Sequence, residues 1–391
     1  MAITGNTSTK NTGRIRYGMV GGGQGAFIGA VHRIAARIDD KYELVAGALS
    51  ADPAKAKASG EELGLSADRI YTDFKTMAKA ESQRADGIEV VSIVTPNHMH
   101  FPAAKAFIEA GIHVICDKPL SLTLKEGKAL EALLKKNPKI IFALTHNYSG
   151  YPMIRQAREM VLAGKLGDIR LVQGEYPQDW LATDLEKSGQ KQAAWRTDPK
   201  RSGAGGCVGD IGTHTYQLGN FVSGLTLDEL SADLTSFVKG RKLDDNVSVM
   251  LRYKGGAKGH IWASQVAVGH ENGLKLRIYG TKGGLEWTQA DPNYLWFTEL
   301  GGERRLITRG GATAGPAAAR VTRIPAGHPE GYLEGFANIY TEVARAIEAK
   351  REGKKLDKDV QFPGIEDGVQ GMAFIEACVK SSAKNGKWVK V

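Results

Sequence analysis

Asp210 and His214, in the run Gly-Asp-Ile-Gly-Thr-His, are four residues apart and share one face if the chain is helical there. An acid beside an imidazole orients the ring and raises its basicity, which suits a general base near neutral pH. The plainer alternative is a helix-capping aspartate followed by an incidental histidine. A second candidate is Lys118. Val114, Ile115 and Cys116 form a short apolar run with Asp117-Lys118 at its carboxyl end and Pro119 after it. Such a run reads as a parallel strand buried on both faces, and the rim beyond it is where open α/β sheets bind ligands. Pro119 predicts a fixed turn, with a cis bond as one option. A lysine in a solvated loop is the alternative.

A third constellation is the glycine-rich turn Gly21-Gly22-Gly23-Gln24-Gly25-Ala26, set between a predicted strand at 14–20 and the helical pattern Ile28, Val31, His32, Ala35, Ile38. Gly21, Gly23 and Ala26 match GxGxxG/A. The glycines permit a tight turn and close backbone approach, and the helix N-terminus receives a dinucleotide pyrophosphate. Gln24, Gly25, Phe27 and Ile28 complete the predicted contacts around that turn. The second strand, 42–49, ends at Ser50, with Ala51, Asp52 and Lys55 beyond. An acid at this tip would hold the ribose of NAD and repel the 2′-phosphate of NADP. Ser50 does neither, so both cofactors stay open, with a lean to NAD because Ala51 stands where an arginine clamp would be convenient.

These residues need a scaffold that brings strand ends together. Up to residue 148, strands at 89–94, 114–116 and 140–144 alternate with helices at 53–63, 101–110 and 124–136, a doubly wound parallel sheet. Its carboxyl-end loops collect the glycine turn, Ser50, Thr95-Pro96-Asn97-His98, Lys118 and Asn147 along one edge. After residue 149 the pattern changes to an α+β domain. A helix at 151–163 and a strand at 169–176 lead into a loop from 177 to 206. A helix then begins near Asp210. Strands at 230–238, 246–253, 257–265, 274–280, 283–287 and 294–298 predict a large, mostly antiparallel open sheet. A Gly/Ala-rich stretch, 301–319, reads as a flexible loop. Helices return at 331–350 and 364–383, the late helix expected to pack back on the first domain, and 388–391 reads as a last strand. Residues 1–13 are polar, lack an apolar core and read as a disordered tail rather than a secretory signal.

The 391 residues carry a formal charge of +9, but Lys and Arg are interspersed with acids and form no basic block, so no nucleic-acid role is expected. No apolar run is long enough to span a membrane. Three widely spaced cysteines suggest neither disulfides nor a metal site, and a reducing cytoplasm fits.

The ordered set of glycine turn, Thr95-Pro96-Asn97-His98, Cys116-Asp117-Lys118-Pro119, Gly209-Asp210-Ile211-Gly212-Thr213-His214 and His328-Pro329-Glu330-Gly331-Tyr332 resembles the glucose–fructose oxidoreductase / inositol dehydrogenase / rhizopine-catabolism oxidoreductase family. The resemblance spans nearly the whole chain. It implies that Lys118 binds the reacting oxygen, that Asp210 and His214 position the substrate and move its proton, and that hydride passes between nicotinamide and a sugar or cyclitol carbon. An ammonium stabilises a developing alkoxide, which makes physical sense of Lys118. Asp117 stands where the family has Glu. Cofactor contacts are expected from Thr95, Pro96, Asn97, His100, Asp117, Lys118 and Asn147. Substrate contacts are expected from Tyr148 and from Gln178, Trp180, Trp195 and Arg196 of the specificity segment 176–201, whose tryptophans alternatively serve as core or interface anchors. A homo-oligomer, dimer or tetramer, follows from the resemblance. Two alternatives remain: a glycoside hydrolase that oxidises its sugar transiently, and a nucleotide-sensing protein without catalysis.

The tip of the second strand yields a prediction. Titration with NAD and with NADP should give affinities within about 1,000-fold, or about 4 kcal/mol, of each other. A wider gap would mean that another group discriminates against the 2′-phosphate.

Overall fold

The computed structural model describes residues 13–391, so the predicted tail lies, apart from Gly13, outside the described residues. Alternating apolar strands and helices build the first half. β1 (Ile15–Gly21), β2 (Tyr42–Ala48), β3 (Val90–Val94), β4 (His113–Cys116) and β5 (Phe142–Leu144) form a parallel sheet in the order β2-β1-β3-β4-β5. β3, β4 and β5 are buried at every position, as strands covered by helices on both faces must be. Those helices are α1 (Phe27–Ile38), α2 (Pro53–Glu62), α3 (Phe74–Gln83), α4 (His100–Glu109) and α5 (Leu124–Lys136). Side chains fix the starts of α2, α3 and α5. Asp52 accepts from the Lys55 amide at 3.1 Å and Asp73 from the Thr76 amide at 2.7 Å, while Thr123 and Glu126 make a reciprocal capping box. α3 is absent from the sequence reading; its buried stripe is short, Met77, Ala78 and Glu81.

Strand order reverses beside β1, which opens a crevice above the carboxyl ends of β1 and β3. The glycine turn is longer than GxGxxG/A. Ala26 occupies the position just before α1, and the close-packing residue is Gly29, where a Cβ would lie 2.4 Å from Gly22 Cα.

In the second half, α6 (Pro152–Leu162) leads into β6 (Ile169–Pro177). The predicted loop 177–206 contains a 3₁₀ turn, Leu185–Ser188, and two short helices, α7 (Lys191–Arg196) and α8 (Pro199–Ser202). α9 (Thr213–Ser223) follows, then β7 (Leu227–Thr235), β8 (Asn246–Tyr253), β9 (Lys258–Ser264), β10 (Lys275–Gly280), β11 (Gly283–Thr288), β12 (Tyr294–Glu299) and β13 (Arg304–Thr308). With β14 (Val389–Lys390) they make a nine-stranded sheet in the order β13-β12-β11-β10-β6-β9-β8-β7-β14. Only β6 with β9 pairs in parallel. The stretch 301–319 is not the irregular loop that its glycines and alanines predict. It holds β13 and α10 (Pro316–Ala319), and the Arg304 and Arg305 guanidinium groups lie 4.3 and 5.3 Å above the Trp296 and Phe297 rings. β7 starts three residues before its predicted position, because Leu227 already pairs with Tyr253.

Alternation gives this sheet one apolar face. In β8, Val247, Val249, Leu251 and Tyr253 point inward, whereas Ser248 and Met250 point out. α6, α9 and α12 (Ile365–Ser382) cover the inner face. α11 (Tyr332–Arg351) instead crosses to the first sheet, where Phe336, Tyr340 and Val343 pack with Val31, Ala35 and Tyr42. This seam locks the two sheets together.

His32 is fully buried in the seam, with Nδ1 2.8 Å from the Tyr340 hydroxyl. Burial pushes its pKa down from 6.5 to about 4. Between those values the unfolded chain binds a proton that the folded chain refuses. Stability is therefore complete above pH 6.5 and falls as pH drops towards 4, by about 1.4 kcal/mol per pH unit for this one group. Denaturant unfolding across that window should show a shallower loss for His32→Gln than for wild type. Equal slopes would assign the acid sensitivity to other groups.

Candidate active site

The rims of the two sheets meet at Lys118. The residue follows β4, and its bond to Pro119 is cis. Asp117 Oδ1 accepts from the Lys118 amide at 2.9 Å and from Thr145 Oγ1 at 2.8 Å, so this carboxylate braces the turn that presents the lysine. Lys118 Nζ reaches 2.9 Å from Asp210 Oδ1 and also donates to the Asp210 carbonyl. Asp210 sits on a single π turn, Val208–Gly212, just ahead of α9. Such widened turns recur at functional sites. Its other carboxylate oxygen accepts from Gln265 Nε2 at 2.9 Å and faces Arg196 Nε at 3.4 Å. Burial alone would raise this carboxyl, but Lys118, Arg196 and the hydrogen bonds outweigh it and hold Asp210 well below the usual carboxylate range.

His214 does not pair with Asp210, contrary to the expectation drawn from their spacing. Asp210 turns its oxygens to Lys118, Gln265 and Arg196, and His214 Nδ1 is buried with no hydrogen-bond partner. The imidazole packs edge-on against Tyr148 and His146, with ring centroids 5.0 and 5.5 Å away. Burial, then Lys118 and His146, push its pKa well below 6.5. The ring is therefore neutral, with its basicity lowered rather than raised. Next to it, the Tyr148 and Tyr176 hydroxyls lie 2.5 Å apart. Tyr176 Oη and Gln178 Nε2 each donate to Asn272 Oδ1 at 2.7 Å.

These groups surround a cavity of about 450 Å³. A groove of about 500 Å³ runs above the ends of β1, β2 and β3, from Ser50 and Phe74 at one end to Lys118 and Asp210 at the other. Phe27, Ile28, Asp117, Lys118, Arg196 and Asp210 border both spaces, so the groove opens into the cavity.

Most predicted site residues come together here. Gly21, Ala26, Phe27, Ile28, Ser50, Thr95, Pro96 and Asn97 line the groove. Tyr148, Gln178, Trp180, Arg196, Asp210 and His214 line the cavity. Several are placed differently. Gly23, Gln24 and Gly25 border a recess behind the turn, where Gln24 Nε2 donates to Glu62 at 2.8 Å. Asn147 borders the cavity rather than the groove, and Trp195 the groove rather than the cavity. Lys55 is exposed on α2, outside both spaces. His100 is buried, with its ring nitrogens 2.6 and 2.8 Å from the Pro119 and Thr95 carbonyls, so it joins two turns while His98 faces the groove. Sequence reasoning missed Asn272, Tyr332 and Phe336 in the cavity, and took in Tyr176, on the cavity, and Arg201, on the groove, only as the ends of the specificity segment 176–201. Tyr332 lay within a quoted motif, and Phe336 stands one helical turn after it; Asn272 carried no local signal.

The groove fits a dinucleotide. Gly22 and Gly29 bring the backbone close at the N-terminus of α1. Leu49 and Phe74 offer apolar surface at the Ser50 end, and Thr95 Oγ1 and His98 Nδ1 are buried polar atoms with no partner. Among the described residues, no cluster of His, Cys, Asp or Glu is arranged to hold a metal, and no helix is long and apolar enough to cross a membrane.

Comparison with known proteins agrees with this geometry. Residues 15–157 match the model of an oxidoreductase family with an NAD-binding Rossmann fold, and residues 154–286 match the GFO/IDH/MocA C-terminal domain. An oxidoreductase of Sinorhizobium meliloti with a crystal structure is 60% identical, with a TM-score of 0.87 over 96% of this chain and 99% of that one. An inositol dehydrogenase homologue of Azotobacter vinelandii, solved with NADH and myo-inositol, is 37% identical, with a TM-score of 0.91 over 97% and 98%. Levoglucosan dehydrogenase of Pseudarthrobacter phenanthrenivorans is 29% identical over 96% of this chain and 98% of its own. With the glycine turn, the Lys118 rim and the Asp210–His214 segment all in one continuous site, the chain belongs to the GFO/IDH/MocA family of NAD-binding oxidoreductases.

Proposed function

We propose that this protein is a dehydrogenase that moves hydride between a nicotinamide cofactor and a hydroxyl-bearing carbon of an uncharged ring polyol, a sugar or cyclitol. The observation that carries this reading is the Lys118–Asp210 pair beside the neutral His214, at the point where the groove enters the cavity. The charges bordering the cavity balance, Lys118 and Arg196 against Asp117 and Asp210, which favours a substrate without charge. Amides and hydroxyls of Asn147, Tyr148, Gln178 and Asn272 suit a ring of hydroxyl groups, and Trp180 offers a face for its C–H surface. The relatives named for levoglucosan and myo-inositol support the same class.

Lys118 would hold the reacting oxygen by its ammonium, oriented by Asp210, and stabilise negative charge as the hydroxyl proton leaves. His214, neutral and next to this ammonium, would accept that proton. Bound nicotinamide supplies the hydride acceptor. Asp210, tied to Lys118, Gln265 and Arg196, would act through orientation rather than proton transfer. We also read the outer face of the large sheet, where Leu171, Met250, Tyr279 and Tyr294 are exposed, as the surface on which copies of the chain associate.

Two predictions follow from this chemistry. Lys118→Ala and His214→Ala should lower kcat by about 100-fold or more in variants that still fold, with a smaller loss for Asp210→Asn. A base must be unprotonated to act, so a lowered pKa keeps His214 active into acid. The acid limb of kcat/KM should accordingly lie below pH 6.5 and disappear in His214→Ala; a limb that survives the substitution would give the proton to another group.

The stoichiometry decides the reaction class. Product and reduced nicotinamide should appear in equal amounts. Cleavage of a glycoside under substoichiometric cofactor, with no reduced nicotinamide accumulating, would replace this reading with a hydrolase that borrows and returns the hydride.

A further inference from the structure

We propose that Arg241, remote from the cavity, is a positioning residue that sets the segment 177–206 over the substrate. This rests on the reading above, in which that segment faces the polyol. Arg241 follows β7, and its side chain is 1% exposed. Each of its five N–H groups has an acceptor. Nη1 donates to the Leu181 carbonyl at 2.9 Å and to Asp245 Oδ2 at 3.1 Å. Nη2 donates to the Thr183 carbonyl at 2.9 Å and to Glu186 Oε2 at 2.8 Å, and Nε donates to Glu186 Oε1 at 2.9 Å. Three residues of one loop are thus clamped by a single planar group, a geometry that an ammonium cannot reproduce.

The clamp is itself anchored. Asp245 is wholly buried and also accepts from the Phe237 and Val238 amides at 2.9 and 3.1 Å. Its neighbour Asp244 fixes the far end of the same loop, accepting from the Gly206 amide at 2.6 Å and the Val208 amide at 2.8 Å. A Cβ at Gly206 would come within 2.2 Å of the Asp244 carbonyl oxygen, so the two strands of chain touch backbone to backbone. Asp244 and Arg241 therefore hold both ends of a strap. Between them the strap carries Gln190, Gln192 and Arg196 to the cavity, and Gln178 and Trp180 lie just ahead of the clamp. Arg241 borders neither cavity nor groove, so it acts on substrate through the groups it holds, the strap and Asp245.

The test uses Arg241→Lys and Glu186→Ala in the full-length protein, the second removing the strap's one carboxylate from the clamp while leaving Arg241 and Asp245 in place. Limited trypsin digestion reads strap position without any substrate, because Lys187, Lys191, Arg196, Lys200 and Arg201 lie within it. Both variants should be cut there faster than wild type, with unchanged cutting elsewhere. With myo-inositol as the probe, KM should rise about tenfold or more while kcat stays within about threefold; because Lys191, Gln192, Trp195 and Arg196 of the strap also border the groove, the NADH dissociation constant, read by fluorescence, should rise too, but by less than KM. Strap cleavage at the wild-type rate in folded variants overturns the proposal, as does faster cleavage with KM unchanged, or a rise in the NADH dissociation constant that equals or exceeds the rise in KM. A wild-type protein that does not oxidise myo-inositol would count against that substrate, and the cleavage pattern would then decide the strap by itself.

Discussion

The bridge between Lys118 and Asp210 is the contact on which the rest of this molecule depends. One partner stands at the end of a parallel strand, the other on a π turn 92 residues later at the edge of a different sheet. Neither side chain is more than 18% exposed. Charges so far from water are tolerated only when paired and fully hydrogen-bonded, and removing one leaves the other stranded. The two sheets must therefore approach in one orientation, and the seam of α11 against α1 supplies it through aromatic and aliphatic packing. Packing brings the bridge into register, and the reacting oxygen of the proposed reaction would sit beside it.

Around this pair the site divides charge from neutrality. Asp210 is kept ionised by two cations despite its burial, whereas His214 and His146 are kept neutral by burial and by the same lysine. The imidazole proposed as proton acceptor is uncharged and stands near a cation that cannot accept a proton without first losing one. That arrangement needs no acid–imidazole pair, and it explains why Asp210 and His214, adjacent on one helical face in sequence, have separate partners in space.

The polar wall of the cavity comes from the second sheet and its strap. Tyr176 lies near the end of β6 and Asn272 precedes β10, and their hydrogen bond is possible because those strands are neighbours although the two residues are 96 apart in the chain. The segment 177–206 adds Gln178 and Trp180 ahead of the strap and Arg196 on it, whose guanidinium lies 4.4 Å from the centre of the Trp195 ring and 5.9 Å from that of Trp180. Cofactor groove and cavity share Arg196, so one loop covers both.

Local chemistry was legible in the amino-acid sequence wherever neighbours along the chain decide the outcome. The buried run 114–116, the glycine turn and the strand at 246–253 all follow from side-chain character and backbone demand over a few residues. These were enough to infer a parallel sheet followed by an open antiparallel one and to mark Lys118, Asp210 and His214. Tertiary structure alone decided which of these residues touch. It gave Asp210 to Lys118 instead of His214, turned His98 rather than His100 towards the groove, moved the helix-packing glycine from Ala26 to Gly29, and converted part of a Gly/Ala-rich stretch into β13. The reason is the same each time. A side chain's partner is set by the burial of whole faces and by pairing across scores of residues, and no spacing along the chain encodes that distance.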